Sequence, residues 1–488
     1  MGVEHVDVVV VGAGLSGIGA AYRLQTQCPG RSYVVLEARE TMGGTWDLFR
    51  YPGVRSDSDM FTLGYQFRPW LAAKAIADGP TILDYIHGTA AEFGIDQHIR
   101  YSTKVVGADW CTATARWTLR LETVDGPREM TCEFLYSCAG YYDYDQPYSP
   151  ELPGIDSFAG RTVHPQFWPE DLQYAGQRVV VIGSGATAVT LVPAMAADAA
   201  HVTMLQRSPT WISSVPERDK IADRLRELLP AALAHRVIRT KNIVFMLAVY
   251  NFCQRFPDRA RRMLVRLNER ILGDPAMVAE HFTPSYDPWD QRLCAVPDAD
   301  LFRSIKRGDA EVVTDHIETF VPEGIRLASG RVLEADVVVT ATGLTLLPFG
   351  GIAPSVDGRT VDLHEQFVWQ GAMLTGVPNF AVCIGYTNAS WTLRADLTHR
   401  LVCKVLNHLD RHAYAAGVPL PRHELVERPL LDLSSGYVQR SIDMFPRQGD
   451  RGPWRVRQNY LLDSATTMWR RLRGSMEFTR RSDVERAA

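Results

Sequence analysis

The sequence lacks closely spaced pairs of cysteines. Its eight cysteines stand at positions 28, 111, 132, 138, 253, 294, 383 and 403, and no two have the C-x-x-C spacing of zinc sites and redox dithiols. We therefore expect no metal site. Scattered cysteines of this kind are typical of reduced thiols, and we expect a cytoplasmic protein.

Long apolar runs and an excess of one charge are also missing. No stretch reaches the roughly 18 apolar residues of a membrane span. The N-terminus shows no cationic region followed by a cleavage site. The net charge of −4 gives no electrostatic reason to expect nucleic acid as a partner. These absences predict a chain with no secretory signal and no transmembrane segment.

The sequence does contain an internal near-repeat. "VDVVVVGAGLSGIGAAYRL" and "RVVVIGSGATAVTLVPAM" each place a glycine-rich turn, at positions 12–17 and 183–188, between a β-branched run and a helix-forming segment. A lone G-x-G-x-x-G is weak evidence, but the preceding strand and following helix supply the context that the motif requires. Each copy later returns to an apolar strand, "FLYSCAGY" or "DVVVTATGL". The 488 residues therefore predict two parallel-sheet nucleotide domains.

The residues that follow the second strand differ between the two copies. Glu37 stands twenty residues after Gly17, where a carboxylate binds ribose hydroxyls and would repel a 2′-phosphate. Arg207 and Ser208 occupy the matching place in the second copy, where they favour the 2′-phosphate of NADPH. Because of the Glu37 carboxylate, the first site suits FAD or NAD, which have no 2′-phosphate. A disulfide reductase would need a redox cysteine pair soon after Glu37, and residues 38–110 contain no cysteine, so this class is excluded. An oxidase would not need the second nucleotide site. An NADPH-driven oxygenase remains.

We predict an α/β fold with two Rossmann-like domains, one for FAD and one for NADP, and a helical insertion in the NADP domain. The first FAD-binding part is 1–145, and the first NADP-binding part is 146–212, with a connecting segment at 158–169. The helical insertion is 213–288, the second NADP-binding part is 289–341, and the second FAD-binding part with a C-terminal cap is 342–488. Helical spacing over residues 218–272 is broken at Pro230 and Pro257. We expect "IVFMLAVYNF" within it to be buried against the sheet, and weak peripheral membrane contact stays open as an alternative. The final "EFTRRSDVERAA" is expected to be a frayed tail.

Two longer motifs point to a known family. The pattern F-x-G-x-x-x-H-x-x-x-W-P is met by Phe158, Gly160, His164, Trp168 and Pro169, and "GGTWDLFRYPGVRSD" meets a second family pattern that ends in Asp57. With both glycine turns and "ATG" at 341–343, the sequence resembles the type I Baeyer–Villiger monooxygenases, a branch of the class B flavoprotein monooxygenases. "YDPWDQRLCAVP" and "GYTNASWTL" are similar to its ethionamide-activating subgroup.

The resemblance implies roles for individual residues. Arg292 is implied as the catalytic cation, Asp57 as the acid that orients it, and His164 as part of the domain movements that reposition NADP and flavin. With the first glycine turn, the implied FAD contacts are Gly12, Gly14, Ser16, Gly17, Glu37, Thr45, Trp46, Asp47, Leu48, Asp57 and Val105. With the second, the implied NADP contacts are Arg55, Ser56, Asp57, Gly183, Ser184, Gly185, Ala186, Thr187, Ala188, Val189, Arg207 and Ser208. Gln291 stands where many relatives have Lys, which leaves more of the NADP selectivity to Arg207 and Ser208.

The resemblance also implies a reaction. NADPH and O₂ would be consumed, and a C4a-peroxyflavin would convert ketones to esters or lactones and sulfoxidise thioethers and thioamides. Two alternatives stay open: an oxygenase that acts mainly on sulfur or nitrogen, and a low-turnover NADPH-binding flavoprotein regulator. In each case the partners are small molecules.

Overall fold

The first sheet is built by the amino-terminal part of the chain. The computed structural model describes residues 3–291, 293–431, 434–469 and 471–487. The elements of this part are β1 (Glu4–Val11), α1 (Leu15–Gln27), β2 (Tyr33–Leu36), α2 (Thr45–Leu48), α3 (Met60–Leu63), α4 (Gly79–Glu92), β3 (Ile99–Arg100), β4 (Thr103–Cys111), β5 (Arg116–Thr123) and β6 (Gly126–Ser137). Strands β3, β2, β1 and β6 are parallel and adjacent in that order, and β5 and β4 continue the sheet antiparallel to β6. The β-branched run of β1 is buried on both faces, as a central parallel strand requires.

The middle of the chain builds the second sheet and the helical segment. Its elements are β7 (Arg161–Val163), β8 (Arg178–Ile182), α5 (Ala186–Met195), β9 (His201–Gln206), β10 (Ile212–Val215), α6 (Lys220–Leu228), α7 (Ala231–Arg255), α8 (Pro257–Leu272), α9 (Pro275–His281), β11 (Cys294–Pro297), α10 (Asp300–Arg307), β12 (Ala310–Thr314), β13 (Ile317–Val321), β14 (Gly324–Leu327), β15 (Val332–Glu334) and β16 (Val337–Thr340). Strands β12, β9, β8, β16 and β7 form one parallel sheet in that order. The two Rossmann-like sheets confirm the predicted fold class.

The remainder of the chain returns to the first sheet. Its elements are β17 (Pro354–Val356), β18 (Arg359–Thr360), β19 (Val368–Trp369), β20 (Met373–Leu374), β21 (Phe380–Val382), α11 (Trp391–Arg411), β22 (Tyr414–Pro419), β23 (Arg428–Pro429), α12 (Gly436–Gln439), β24 (Arg447–Gln448), α13 (Tyr460–Trp469), β25 (Met476–Arg480) and α14 (Arg481–Ala487). Strand β17 pairs with β4, β21 pairs with β6, and α11 packs along α1. The expected frayed tail is wrong, because β25 pairs antiparallel with β22 and α14 follows it.

The helical segment lies across both domains. Its helices are interrupted beside Pro230 and at Pro257, the positions that the sequence indicates. Helix α7 packs on α3, where Arg239 donates to the carbonyls of Phe61 and Gly64 at 2.8 Å each. At the other end, Leu272 of α8 belongs to the core of the NADP domain. The expectation that "IVFMLAVYNF" packs against the sheet is wrong: its buried side packs on α3 and on the chain around Tyr386.

Within the residues that the structure describes, no helix combines the length and the apolar character that crossing a bilayer requires.

Candidate functional site: two dinucleotide turns joined by one segment

The first glycine turn connects β1 to α1 with almost no free space. Gly12 has a positive φ of +97°. A Cβ on Gly17 would lie 1.8 Å from the carbonyl oxygen of Gly12, so this position requires glycine. Helix α1 begins at Leu15, and its free N–H groups face the turn. An N-terminus of this kind, approached by glycine backbone, fits a pyrophosphate.

Glu37 follows β2 beside this turn. It is 6% exposed. Its carboxylate accepts hydrogen bonds from the N–H groups of Ala13 at 2.7 Å and Arg39 at 2.9 Å. Burial raises the pKa of Glu37, and the two N–H donors and the Arg39 charge oppose that effect. The backbone of Thr103 at the start of β4 also donates to the carbonyl of Glu37, at 2.9 Å, which brings the strand that carries Val105 to the same edge. A buried acceptor at this strand end fits the adenosine half of FAD.

The segment after Gly43 lines the other side of the first turn. A Cβ on Gly14 would lie 3.5 Å from the Cα of Gly44. The hydroxyl of Thr45 lies 3.3 Å from that of Tyr144, and Trp46 packs against the core of the first domain.

Two further predicted FAD residues are held by neighbouring side chains. Asp47 is buried and accepts hydrogen bonds from Arg39 and from Arg50, the latter at 3.0 Å. The hydroxyl of Ser16 accepts a hydrogen bond from the indole N–H of Trp391 at 2.7 Å. Leu48, next in the chain, packs against the core of the NADP domain.

The same segment then enters the second domain. Phe49, Tyr51 and Val54 belong to the buried core around α5, and a Cβ on Gly53 would lie 2.7 Å from Cβ of Ala194. We call residues 43–57 the bridging segment, because it contacts the first glycine turn at one end and the helix of the second turn at the other. The hydroxyl of Tyr51 contacts Thr187 in that second turn, and burial raises the pKa of Tyr51 to about 12.

The bridging segment ends in three predicted site residues. Arg55 forms an ion pair with Asp300 at the start of α10. Ser56 donates to the carbonyl of Ser58 at 2.8 Å. Asp57 lies close enough to Tyr51 for its charge to favour the neutral phenol. Arg292, the predicted catalytic cation, lies outside the described residues, so its predicted pairing with Asp57 stays a prediction.

The second glycine turn is tight at its first glycine and open at its middle glycine. A Cβ on Gly183 would lie 2.3 Å from the carbonyl oxygen of Ala341, but a Cβ on Gly185 would meet no atom within 4 Å. Ser184 shares a hydrogen bond of 2.7 Å with the hydroxyl of Thr210. Among the other residues predicted for this turn, Ala186 and Thr187 are half-buried, whereas Ala188 and Val189 are buried.

Arg207 and Ser208 lie just beyond β9, and both are exposed. Within the part of the chain that the structure describes, Arg207 has no ion pair. An exposed cation without an acidic partner, placed at the end of the second strand, fits the 2′-phosphate of NADPH.

The segment that carries the His164 motif, predicted as a connector, contains a strand of the second sheet. Residues Arg161–Val163 form β7, an edge strand that is too short to show a sequence period, and a Cβ on Gly160 would lie 2.4 Å from the carbonyl of Asp336. Phe158 packs edge-on to Phe320, with ring centroids 6.1 Å apart. This motif therefore anchors the second sheet.

His164 lies at the end of β7, where the two domains meet. Its Nδ1 accepts from the backbone N–H of Gln166 at 3.2 Å. Burial lowers the pKa of His164, although the backbone groups of Gly343 and Tyr148 favour its charged form. Trp168 packs against the core of the second domain. His164 and Trp168 thus occupy the junction between the domains.

The sequence analysis did not identify Gln166, which hydrogen-bonds across the junction between the two domains. Gln166 is buried, and its amide donates to the carbonyls of Asp143 at 2.9 Å and Tyr144 at 3.2 Å, at the end of the first domain. Its position inside the motif that contains His164 could have identified it as a candidate. Trp391 was also missed, although "GYTNASWTL" marked its surroundings.

Two glycine turns of the dinucleotide-binding type, each between a parallel strand and a helix of its own sheet and joined by one segment, are the arrangement of an oxidoreductase that binds two nucleotides. A family profile described as Flavin-binding monooxygenase-like matches residues 75–243, and one described as NAD(P)-binding Rossmann-like domain matches residues 10–70. The chain is 54% identical over 462 residues to the FAD-containing monooxygenase EthA of Mycobacterium tuberculosis, covering 94% of each chain. It is 52% identical to EthA of Mycolicibacterium smegmatis, again with 94% of each chain covered. The chain therefore belongs to the family of FAD-containing monooxygenases.

Solved structures share the fold. An oxidized steroid monooxygenase bound to NADP superposes with a TM-score of 0.76 at 24% identity, covering 97% of this chain and 99% of its own. The closed structure of cyclohexanone monooxygenase gives 0.68 at 22% identity, covering 87% and 88%. Family membership confirms the predicted class of enzyme, a flavoprotein monooxygenase.

Proposed function

We propose that this enzyme uses FAD, NADPH and O₂ to insert one oxygen atom beside the carbonyl of ketones, and that it also oxygenates the sulfur of thioethers and thioamides. One ketone, O₂, NADPH and a proton yield an ester or lactone, NADP⁺ and water. The support is the Baeyer–Villiger pattern at Phe158–Trp168 together with the identity to FAD-containing monooxygenases.

One observation carries this proposal: the bridging segment contacts both glycine turns. Gly44 lies against Gly14 in the first turn, and Tyr51 contacts Thr187 in the second. A single segment in contact with both nucleotide sites suits a reaction in which a hydride passes from one nucleotide to the other.

The first turn, Glu37 and the segment from Thr45 to Asp47 hold FAD, with Val105 near its adenine. Bound flavin supplies the oxygen-transfer chemistry. Glu37 orients the ribose through a carboxylate that already accepts two N–H groups.

The second turn, Arg55 and Ser56 bind NADPH, and Arg207 with Ser208 selects its 2′-phosphate. Gly185 leaves open backbone for the pyrophosphate. His164, at the junction between the sheets, links movements of the domains to the position of NADP.

Arg292 supplies a permanent positive charge where negative charge develops on oxygen, and Asp57 orients it. Arginine suits this task because it does not lose its proton at working pH. We also place the protein in the cytoplasm. The eight cysteines, all within the described residues, are free thiols, which supports a reducing compartment.

The test compares Arg292→Ala with Arg303→Ala, a change of an exposed arginine on α10. Wild-type protein should bind FAD, be reduced by NADPH, and give products heavier by one oxygen from a ketone and thioether panel. Arg292→Ala should keep NADPH-driven flavin reduction and lose ester formation by about a thousandfold, since only oxygen transfer needs the cation. Arg303→Ala should resemble the wild type.

Three results would contradict parts of this proposal. Full ester yield in Arg292→Ala removes its catalytic role. Oxygen transfer to sulfides alone makes the enzyme a heteroatom oxygenase. NADPH oxidation that yields only hydrogen peroxide with every ketone and sulfide favours the low-turnover regulator.

A further inference from the structure

The hairpin of α6 and α7 exposes an apolar stripe. Leu233, Val237 and Val244 follow one another at helical spacing on the outer side of α7, and all three are exposed. Phe245, beside Val244, is 67% exposed. On α6, Leu228 is exposed at the corner that leads into α7. A run of exposed aliphatic and aromatic side chains on one helix face is typical of a surface that contacts another protein or a membrane.

Helix α13 carries a second stripe next to the first. Leu461 and Leu462 are exposed, and Trp469, two turns further on, is 82% exposed. The two helices meet where Tyr460, at the start of α13, packs on the buried cluster that contains Ile243 and Leu247 of α7. We call eight of the exposed apolar residues on helices α6, α7 and α13 the apolar rim: Leu228, Leu233, Val237, Val244, Phe245, Leu461, Leu462 and Trp469.

Helices α6 and α7 and the following helix α8 form a strongly basic segment. Residues 220–272 contain twelve Lys and Arg against four Asp and Glu, a net charge of +8, whereas the rest of the chain carries −12. Internal contacts neutralise few of them: Lys241 pairs with Asp219 and Arg261 pairs with Asp287. Eight others are exposed and have no ion pair among the described residues. These are Lys220, Arg224, Arg236, Arg255, Arg259, Arg262, Arg266 and Arg270.

We propose that the apolar rim docks on the surface of an anionic phospholipid bilayer. Exposed apolar side chains on helices that also carry unpaired cations match the composition of interfacial helices. The lysines and arginines attract anionic headgroups, and Phe245 and Trp469 enter the boundary between headgroups and acyl chains. Membrane binding of this kind needs no spanning helix.

The positive charge of residues 220–272 makes a second copy of this chain an unfavourable partner for the apolar rim. In a two-fold symmetric dimer through the rim, the +8 segment of one copy would face the +8 segment of the other, and the like charges would repel. A bilayer rich in anionic lipid neutralises the same charges.

The test is flotation of the FAD-loaded full chain with phosphatidylcholine vesicles, with and without phosphatidylglycerol. Binding should require phosphatidylglycerol, and high salt should weaken it by about tenfold, because screening acts on exposed charges. Equal binding to both kinds of vesicle, or no binding to either at low salt, overturns the proposal.

Two sets of variants locate the binding surface. Val244→Glu with Phe245→Glu should reduce binding by at least about tenfold, since it replaces apolar contacts by charges of the wrong sign. The matched control is Val124→Glu, at an exposed turn of the first domain, which should bind like the wild type. Arg224→Gln with Arg236→Gln should weaken binding by a similar factor, compared with Arg116→Gln and Arg303→Gln at exposed positions elsewhere.

Each variant is first checked for bound flavin and for its unfolding temperature, so that a folding defect is not mistaken for lost docking. Equal binding by the Val124→Glu variant and the variant that combines Val244→Glu with Phe245→Glu overturns the proposal. So does a lipid-free dimer, seen by light scattering, that the rim variant dissociates, because the rim then binds a second copy.

Discussion

The two glycine turns follow the same path and differ in how tightly the protein closes around the middle and last positions of the motif. In the first, α1 is pressed onto β1 so closely that a Cβ on Gly17 would overlap the carbonyl of Gly12. In the second, Ala188 occupies the corresponding position and is fully buried, and the space around Gly185 is open. The first turn also has a buried carboxylate at its strand end, where the second has an exposed arginine.

This difference matches the different fates of the two nucleotides that we assign to them. A nucleotide enclosed by buried groups leaves slowly, which suits FAD as a retained cofactor. A nucleotide held by exposed, solvent-screened groups exchanges quickly, which suits NADPH as a cosubstrate. The same glycine motif can therefore retain a nucleotide or let it exchange, depending on how tightly the surrounding residues pack.

The largest effect should come from Gly17→Ala. Its Cβ has no room, so α1 must move away from β1, at about 3 kcal/mol or more in stability and with loss of FAD retention. The measurement is flavin content after purification, with the urea midpoint. Gly185→Ala is the matched change in the second turn, where φ is −78° and space is open, and it should keep FAD and weaken only NADPH. If both variants lose flavin equally, the comparison fails.

Glu37→Gln should have the next largest effect. A glutamine supplies one acceptor oxygen where the carboxylate supplies two, so one of the N–H groups of Ala13 and Arg39 loses its partner, along with the ribose contact. We expect FAD to bind on the order of a hundredfold more weakly. Equilibrium titration of the apoprotein with FAD measures this. Glu40→Gln, at an exposed position three residues on, should leave the affinity unchanged, and a similar loss there would remove the special role of Glu37.

The parts of the site that the sequence predicts are those dictated by local backbone chemistry. The turns at 12–17 and 183–188 and the helix interruptions at Pro230 and Pro257 follow from what glycine and proline allow. Glu37 and Arg207 follow from their distance along the chain from the turns.

The parts that sequence reasoning missed depend on long-range packing. Strand β7 is too short for a period, and α7 packs on α3 because of partners such as the carbonyls of Phe61 and Gly64. The contacts of Gln166 with Asp143 and Tyr144 likewise join segments that only the folded chain brings together.

A smaller effect should appear behind the first turn, at His399. This buried histidine packs on α1 beside Gly19, and its Nδ1 shares a hydrogen bond of 2.7 Å with the hydroxyl of Tyr136. Burial lowers the pKa of His399 to about 3. Because the unfolded chain binds the proton more readily, stability present above the unfolded pKa of about 6.5 is lost as pH falls toward the folded value.

Between pH 7 and pH 5 this loss should be about 2 kcal/mol. Urea unfolding of the FAD-loaded enzyme at both pH values, in the wild type and in His399→Gln, isolates it, since the glutamine does not titrate. His423→Gln removes an exposed histidine and serves as the control. An identical pH dependence in the wild type and His399→Gln contradicts the prediction.

The smallest effect should be at Arg207, because it is exposed and water screens its charge. Arg207→Gln should raise the KM for NADPH by about tenfold and leave that for NADH nearly unchanged, since only NADPH has the 2′-phosphate. Steady-state flavin reduction with each nucleotide measures the ratio, and Arg303→Gln should not alter it. Equal losses for NADPH and NADH would show that Arg207 supports the turn itself. A loss confined to NADPH would mean that the open turn selects its nucleotide through one surface charge, whereas the closed turn selects through Glu37 and the packing around it.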